Sequence, residues 1–202
     1  MSTAMGRPRE HDAATRERLL AAATRLSAKE GWSAVSIRRV AEDAGTSTRA
    51  VYSLFGSKQG LEEELHLAMF GRLLQLMRAT PRTGDPRADL LELRHAYRRW
   101  ATERPDRYAA MMRFVGPRAA ARSPEGLATA RAATAELRQV IARCARAGLL
   151  ADRDVDRLTE QWRAVAHGLA EFENRGLLAD GDQAWRTVLS ALLDGYRAAA
   201  RA

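Results

Sequence analysis

Apolar residues recur at helical spacing along almost the whole chain, and the apolar–polar alternation of strands is nearly absent. An all-α fold is the architecture in which such stripes can be buried. The first stripe, in segment 12–30, is Leu19, Ala22, Ala23 and Leu26, and Gly31 is placed to end it. The second, in 36–44, is Ile37, Val40, Ala41 and Ala44, with Ser36 as N-cap and Gly45 as terminator. Only Thr46 and Ser47 separate it from a third set, Ala50, Val51, Leu54 and Phe55. A fourth helix is expected over 57–79, opening at Ser57 with Glu62, Glu63 and Glu64 in its early part, where acidic groups suit the helix dipole.

Pro81 to Pro86 reads as a linker, and Asp85-Pro86 is a start pair for a helix running to about Glu103. Pro105 starts a short helix ending near Gly116, and Ser123-Pro124 starts one that reaches Gly148. Asp152 or Asp154 opens another, to Gly176, and Asp182 opens the last. The total is about nine helices, with no repeat of 20–50 residues.

At 202 residues the chain is long enough to bury a substantial core. A single cysteine, Cys144, with only 14 glycines and 6 prolines, excludes disulfide-scaffold and collagen-like classes. No stretch approaches the length of a membrane span, and Met1 to Glu10 does not read as a secretory signal, so a soluble, cytoplasmic protein is expected. The formal charge is +8, and residues 1–60 carry 10 basic against 6 acidic groups. A basic end on a compact protein points to a polyanion, nucleic acid before membrane. Arginine- and alanine-rich usage is equally compatible with a GC-rich genome.

Within 36–55 the residues fall into the register of a helix-turn-helix. A small residue, Ala41, stands four positions before the turn glycine Gly45, where two helices cross closely, and an aliphatic anchor, Val51, stands six positions after it. Ile37, Val40 and Leu54 complete the shared apolar face. The alternative is an ordinary helical hairpin in a bundle.

The stretch from Thr15 to Leu65 resembles the DNA-binding domain of TetR-family transcriptional repressors. The run Tyr52, Phe55, Gly56, Ser57, Lys58 and Leu61 carries that resemblance most specifically. It implies a larger helical domain for ligand binding and dimerisation, and hence three segments: a flexible basic arm at 1–11, a helix-turn-helix domain at 12–60 and a helical domain at 61–202. A recognition helix at about 47–53 would enter the major groove. Thr48, Arg49 and Ala50, with Ser53 one turn on, would face base edges, and Arg49 suits a bidentate guanine contact. Ser47 reads as helix cap or phosphate ligand. Ser36, Tyr52 and Lys58 match family positions that hold phosphates, and Arg38 and Arg39 extend the basic track. Arg7, in Gly6-Arg7-Pro8-Arg9, would reach a narrow minor groove, or belong to a disordered tail with some non-specific attraction to DNA.

Toward the C-terminus, Val155, Leu158, Trp162, Val165, Leu169 and Phe172 form one stripe, and Trp185, Val188, Leu189, Leu192 and Tyr196 another. Two such helices can complete a core or pair with a twin as a four-helix bundle. The resemblance favours the second, making all of these except Trp162 dimer-interface residues. Trp162, His167 and Gly168 resemble the Trp…His-Gly signature of one C-terminal subclass, and His167 is expected to be structural, since no second ligand accompanies it.

An effector pocket is expected among His95, Tyr97, Trp100, Tyr108, Met111, Met112, Phe114 and Trp162, with Arg113 as a charged anchor. Aromatics and methionines with few polar groups suit an apolar or aromatic small molecule, although they also make ordinary cores. No catalytic constellation, metal site or cofactor fingerprint is present in the sequence. The expectation is a ligand-responsive repressor, binding a palindromic DNA operator as a homodimer and released by an unidentified effector, with no membrane partner. Its rivals are a non-specific DNA-architectural protein, and a helical small-molecule-binding protein or enzyme with a relic DNA-binding end.

Overall fold

The computed structural model describes residues 9–113, 123–150 and 154–198. Among them are nine α-helices, one 3-10 turn and no strand, so the all-α expectation holds. The helices are α1 (Arg9–Glu30), α2 (Ile37–Asp43), α3 (Thr48–Phe55), α4 (Lys58–Ala79), α5 (Pro86–Glu103), α6 (Pro105–Arg113), α7 (Pro124–Arg146), α8 (Val155–Asn174) and α9 (Gly181–Ala198), with the 3-10 turn at Trp32–Ala34. Arg7 and Phe114 lie outside the described residues, as does the expected end of α6 near Gly116.

The described residues form two compact units. The first runs to Met69 and takes in the described part of Asp106–Leu127; the second holds Phe70–Pro105 and the described part of Ala128–Ala202. In the first, α1 packs on α2, α3 and the 3-10 turn, around buried Leu19, Ala22, Ala23, Val35, Val40 and Val51. In the second, α5 packs on α8 and α8 on α9, around Leu93, Leu158, Leu189 and the fully buried Trp185.

Local chemistry sets most helix ends. The Asp85 carboxylate accepts the backbone N–H groups of Arg87 at 2.8 Å and Ala88 at 3.3 Å, and Pro86 occupies the first turn, where its missing N–H costs nothing. Ser123 and Asp154 cap α7 and α8 in the same way. The last helix departs from expectation. Asp180 caps it, through the N–H of Gln183 at 2.9 Å, while Asp182 sits in the first turn with its carboxylate on Arg98 and Arg186.

The segment read as a linker, Pro81 to Pro86, is pinned. Buried Asp89 accepts the N–H and hydroxyl of Thr83 at 2.7 and 2.8 Å and also binds Arg143 from α7. These partners hold the Asp89 carboxyl below the usual range, against the opposing and individually largest effect of burial.

Candidate nucleic-acid interface and the second unit

The turn between α2 and α3 closes on itself. The N–H of Gly45 donates to the Glu42 carbonyl at 3.1 Å and that of Thr46 to the Ala41 carbonyl at 2.9 Å, the paired bonds that finish a helix when the residue after its cap is left-handed. Gly45 supplies that conformation, with φ +63°. Ala41, Val40 and Val51 are buried together on the inner face, while Ile37 and Leu54 are half-buried at its edge. Ser47 caps α3 by accepting the N–H of Ala50 at 3.2 Å, and Ser36 caps α2 through the N–H of Arg39 at 3.3 Å.

That packing turns one side of α3 outward. Thr48, Arg49, Tyr52 and Ser53 are exposed, Tyr52 by 55%, and Ala50 is half-buried between them and the core. Lys58 opens α4 half-buried, its ammonium 3.5 Å from the Trp32 carbonyl and 5.5 Å from the centre of the Trp32 ring. The two basic residues of α2 separate. Arg38 is exposed and pairs only locally, with Glu42 at 2.9 Å. Arg39 is drawn back onto Glu30 by two bonds, of 2.7 and 2.9 Å, and onto the Ala34 carbonyl at 3.0 Å. Its guanidinium therefore joins α2 to the end of α1, in a pair that stays exposed on both sides.

Three further contacts hold the α2–α3 pair. Arg16 of α1 pairs with Glu64 of α4 at 2.7 Å, donates to the Leu54 carbonyl at 3.2 Å and lies 5.1 Å above the Phe55 ring. Arg25 pairs with Asp43 at 2.6 Å. Gly60 lets α4 approach α3, since a Cβ there would stand 2.0 Å from the Phe55 carbonyl oxygen.

In the second unit the expected pocket residues Tyr97 and Trp100 are neighbours, with ring centres 5.7 Å apart. Tyr97 also lies 6.2 Å from Trp185 and meets His167 edge-on, its hydroxyl 2.6 Å from Nδ1. Burial, with some help from the charge of Arg163, pushes the His167 imidazole down to about 4, so it is neutral at pH 7, and in the tautomer protonated at Nε2 its Nδ1 accepts a hydrogen bond from the Tyr97 hydroxyl. His95 is half-buried and Trp162 buried in this unit. Tyr108, Met111 and Met112 belong to the first unit, where Tyr108 and Met111 are buried. Burial raises the Cys144 thiol to about 11, which makes it an inert core group.

The two C-terminal stripes divide. Leu158, Leu169, Trp185 and Leu189 point into their own protomer, where Trp185 and Leu189 have no exposure at all. They are core, a correction to their assignment to a dimer face: each stripe is wide enough that one edge faces inward. The outward edge keeps Phe172 (52% exposed) and Val188 (41%), with Val155, Val165, Leu192 and Tyr196 half-buried. Leu177, in the α8–α9 connection, adds 60% exposure.

The family model of bacterial regulatory proteins of the tetR family matches residues 19–65. The model of the tetracyclin repressor-like C-terminal domain matches residues 90–194. The chain belongs to the TetR family. It is thus a TetR-family transcriptional regulator, and DNA binding follows from that membership. An uncharacterised HTH-type transcriptional regulator of Mycobacterium tuberculosis is 28% identical over 169 residues, 83% of this chain and 74% of its own. A tetR-family regulatory protein of Rhodococcus RHA1 shares the fold at TM-score 0.76 and 18% identity, covering 90% of this chain and 96% of that one. The TetR-family regulator PfmR of Thermus thermophilus does so at 0.68 and 22%, covering 89% and 93%.

In TetR terms, Ser47, Thr48, Arg49, Tyr52 and Ser53 were legible as surface, with Ala50 and Lys58 at its edge, while Arg16 and Gly60, which aim that surface, were not. No helix among the described residues is long and apolar enough to cross a membrane, and among them no three His, Cys, Asp or Glu side chains gather as metal ligands.

Proposed function

We propose that this TetR-family chain is a cytoplasmic, ligand-responsive repressor that binds a palindromic operator as a homodimer. The observation that carries the reading is the outward face of α3: Thr48, Arg49, Tyr52 and Ser53 stand exposed beside Lys58, on a helix braced by Arg16 and Gly60. Arg49 is fully available, since it makes no ion pair among the described residues, and its fork matches the O6 and N7 acceptors of guanine. Ser36, Tyr52, Lys58 and Arg38 would hold phosphates and set register. Ala50 is small enough to let the helix approach a base methyl group. Ser47, engaged as a cap, would contribute through its hydroxyl proton alone.

Homodimer formation is supported by Phe172, Leu177 and Val188, large apolar side chains that a monomer leaves in water. A two-fold dimer carries two recognition helices, which is why the expected operator is a palindrome. An effector releases DNA only to the extent that it prefers the geometry that does not bind.

Selection of bound sequences from random DNA by the purified protein tests this, followed by a salt titration on the winner. A palindrome with two half-sites is the expected result. Salt-sensitive binding with no preferred sequence would make the protein architectural and overturn the reading.

A further inference from the structure

We infer that Arg94 is the anchor of a carboxylate-binding site in the second unit, and that the effector is a small organic acid with an aromatic or apolar body. The effector half of this statement rests on the ligand-responsive reading above; the site itself does not.

Arg94 lies on α5 with 5% of its surface exposed. A guanidinium cannot discharge itself by losing a proton, so this is a permanent charge removed from water. Other arginines of the same unit have carboxylates: Arg98 takes Glu173 and Asp182, Arg143 takes Asp89, and Arg78 takes Glu136. Arg94 has none within ion-pair distance among the described residues. Its partners are two neutral acceptors, the Trp185 carbonyl at 3.3 Å and His95 Nε2 at 2.6 Å, and its Nε–H, buried, has no hydrogen-bond partner. His95 cannot supply a counter-charge. Its Nε2 faces the guanidinium as an acceptor, and burial, with Arg94 itself, holds the ring below the usual histidine range.

The shape of what is missing follows from the donors left over. A guanidinium has five N–H groups; Nη1 and Nη2 each spend one here, and the unpartnered Nε–H with a remaining N–H beside it would meet a planar carboxylate side-on. A dianion such as phosphate would bring a second charge beside the Glu173 and Asp182 carboxylates that Arg98 already balances. The body of the ligand is suggested by Trp185, which serves both features: its carbonyl accepts from Arg94, and its ring stands 6.2 Å from Tyr97 in the cluster with Trp100 and His167. Trp185 therefore links the cation to the aromatic cluster. An arginine so buried, which Asp182 reaches only through space while paired with Arg98 and Arg186, is a cost to folding that an arriving carboxylate lowers.

The experiment uses the full-length protein without DNA, with sodium benzoate as probe, benzamide as its neutral analogue and sodium phosphate as the alternative anion. Benzoate at millimolar concentration is expected to raise the wild-type Tm by a few degrees, with benzamide and phosphate inert. Arg94→Met, which removes the charge and keeps the stem volume, is expected to melt no lower than wild type and to lose the benzoate shift. Arg94→Lys, which keeps the charge and loses the fork, is expected to bind benzoate about tenfold more weakly. The site is overturned by the absence of a wild-type benzoate shift, by equal shifts in wild type and either variant, or by loss of the dimer in Arg94→Met, which would assign Arg94 to a partner's carboxylate. A benzoate shift that leaves operator binding untouched overturns the effector clause, and failure to find an operator leaves the benzoate result standing.

Discussion

Lys58 stands over the indole of Trp32, 5.5 Å from its centre, with its ammonium 3.5 Å from the Trp32 carbonyl. The ammonium has three N–H donors and this arrangement uses one, so a phosphate can be added without breaking it. Trp32 therefore presents the lysine at the base of α4 and spares it the entropy of a free side chain. Lys58→Ala is expected to weaken operator and random DNA equally and to lower the salt slope by about 1. Trp32→Leu should cost about two- to fivefold in affinity, the worth of a cation–π contact at a partly exposed site. The double variant should bind no worse than Lys58→Ala alone, because the two changes remove one interaction. Anisotropy titrations at several salt concentrations check all three.

Arg49 should behave differently. Arg49→Ala is expected to lose about 1–3 kcal/mol of discrimination at a single base position and little on random DNA. Ser47→Ala removes a helix cap and should lower folding stability by about 1 kcal/mol while leaving the base preference in place. Repeating the sequence selection with each variant separates reading from bracing. An unchanged position profile in Arg49→Ala would take it out of the base contacts.

What the sequence showed and what it hid divide by sequence distance. Caps are local, so Asp85 could be read from its own neighbourhood, Ser47 as one of two roles and Asp154 as one of two candidates with Asp152. Asp180 and Asp182 stand two residues apart at one helix start; Asp180 caps it, while Asp182 is engaged by Arg98, 84 residues away, and by Arg186. Arg39 and Glu30 are nine residues apart and Arg98 and Glu173 are 75, separations at which any arginine has many candidate partners. In sequence, a buried arginine without an ion pair, as Arg94 is, is indistinguishable from the many exposed ones on such a chain. Periodicity placed both C-terminal stripes on helices, but a stripe wider than one contact line does not say which edge faces the core.

That ambiguity yields a paired prediction. Trp185→Ala empties a fully buried site and strips Glu173 of the indole N–H that it holds at 2.7 Å, so it should cost about 3–5 kcal/mol and unfold much of the protein. Phe172→Asp with Val188→Asp changes two exposed positions and should leave secondary structure and Tm of the protomer largely intact, while shifting sedimentation toward monomer. A dimer that survives the double aspartate change would remove these residues from the interface.

The Tyr97–His167 pair adds a pH dependence. The imidazole is held at about 4 in the folded protein, against 6.5 for an unperturbed histidine, so between these values the unfolded chain binds the extra proton and the folded chain does not. Stability contributed by the neutral ring is complete above about pH 6.5 and is lost as the pH falls through the window toward 4. At 1.36 kcal/mol per pH unit the full loss is about 3 kcal/mol. His167→Gln keeps an oxygen to accept the Tyr97 hydroxyl and cannot titrate. Urea unfolding at a series of pH values should show wild-type stability falling more steeply than that of the variant between pH 6.5 and 4, by up to one proton's worth of slope. Parallel curves would mean that the ring is charged in the folded state and that the Tyr97 hydroxyl accepts rather than donates.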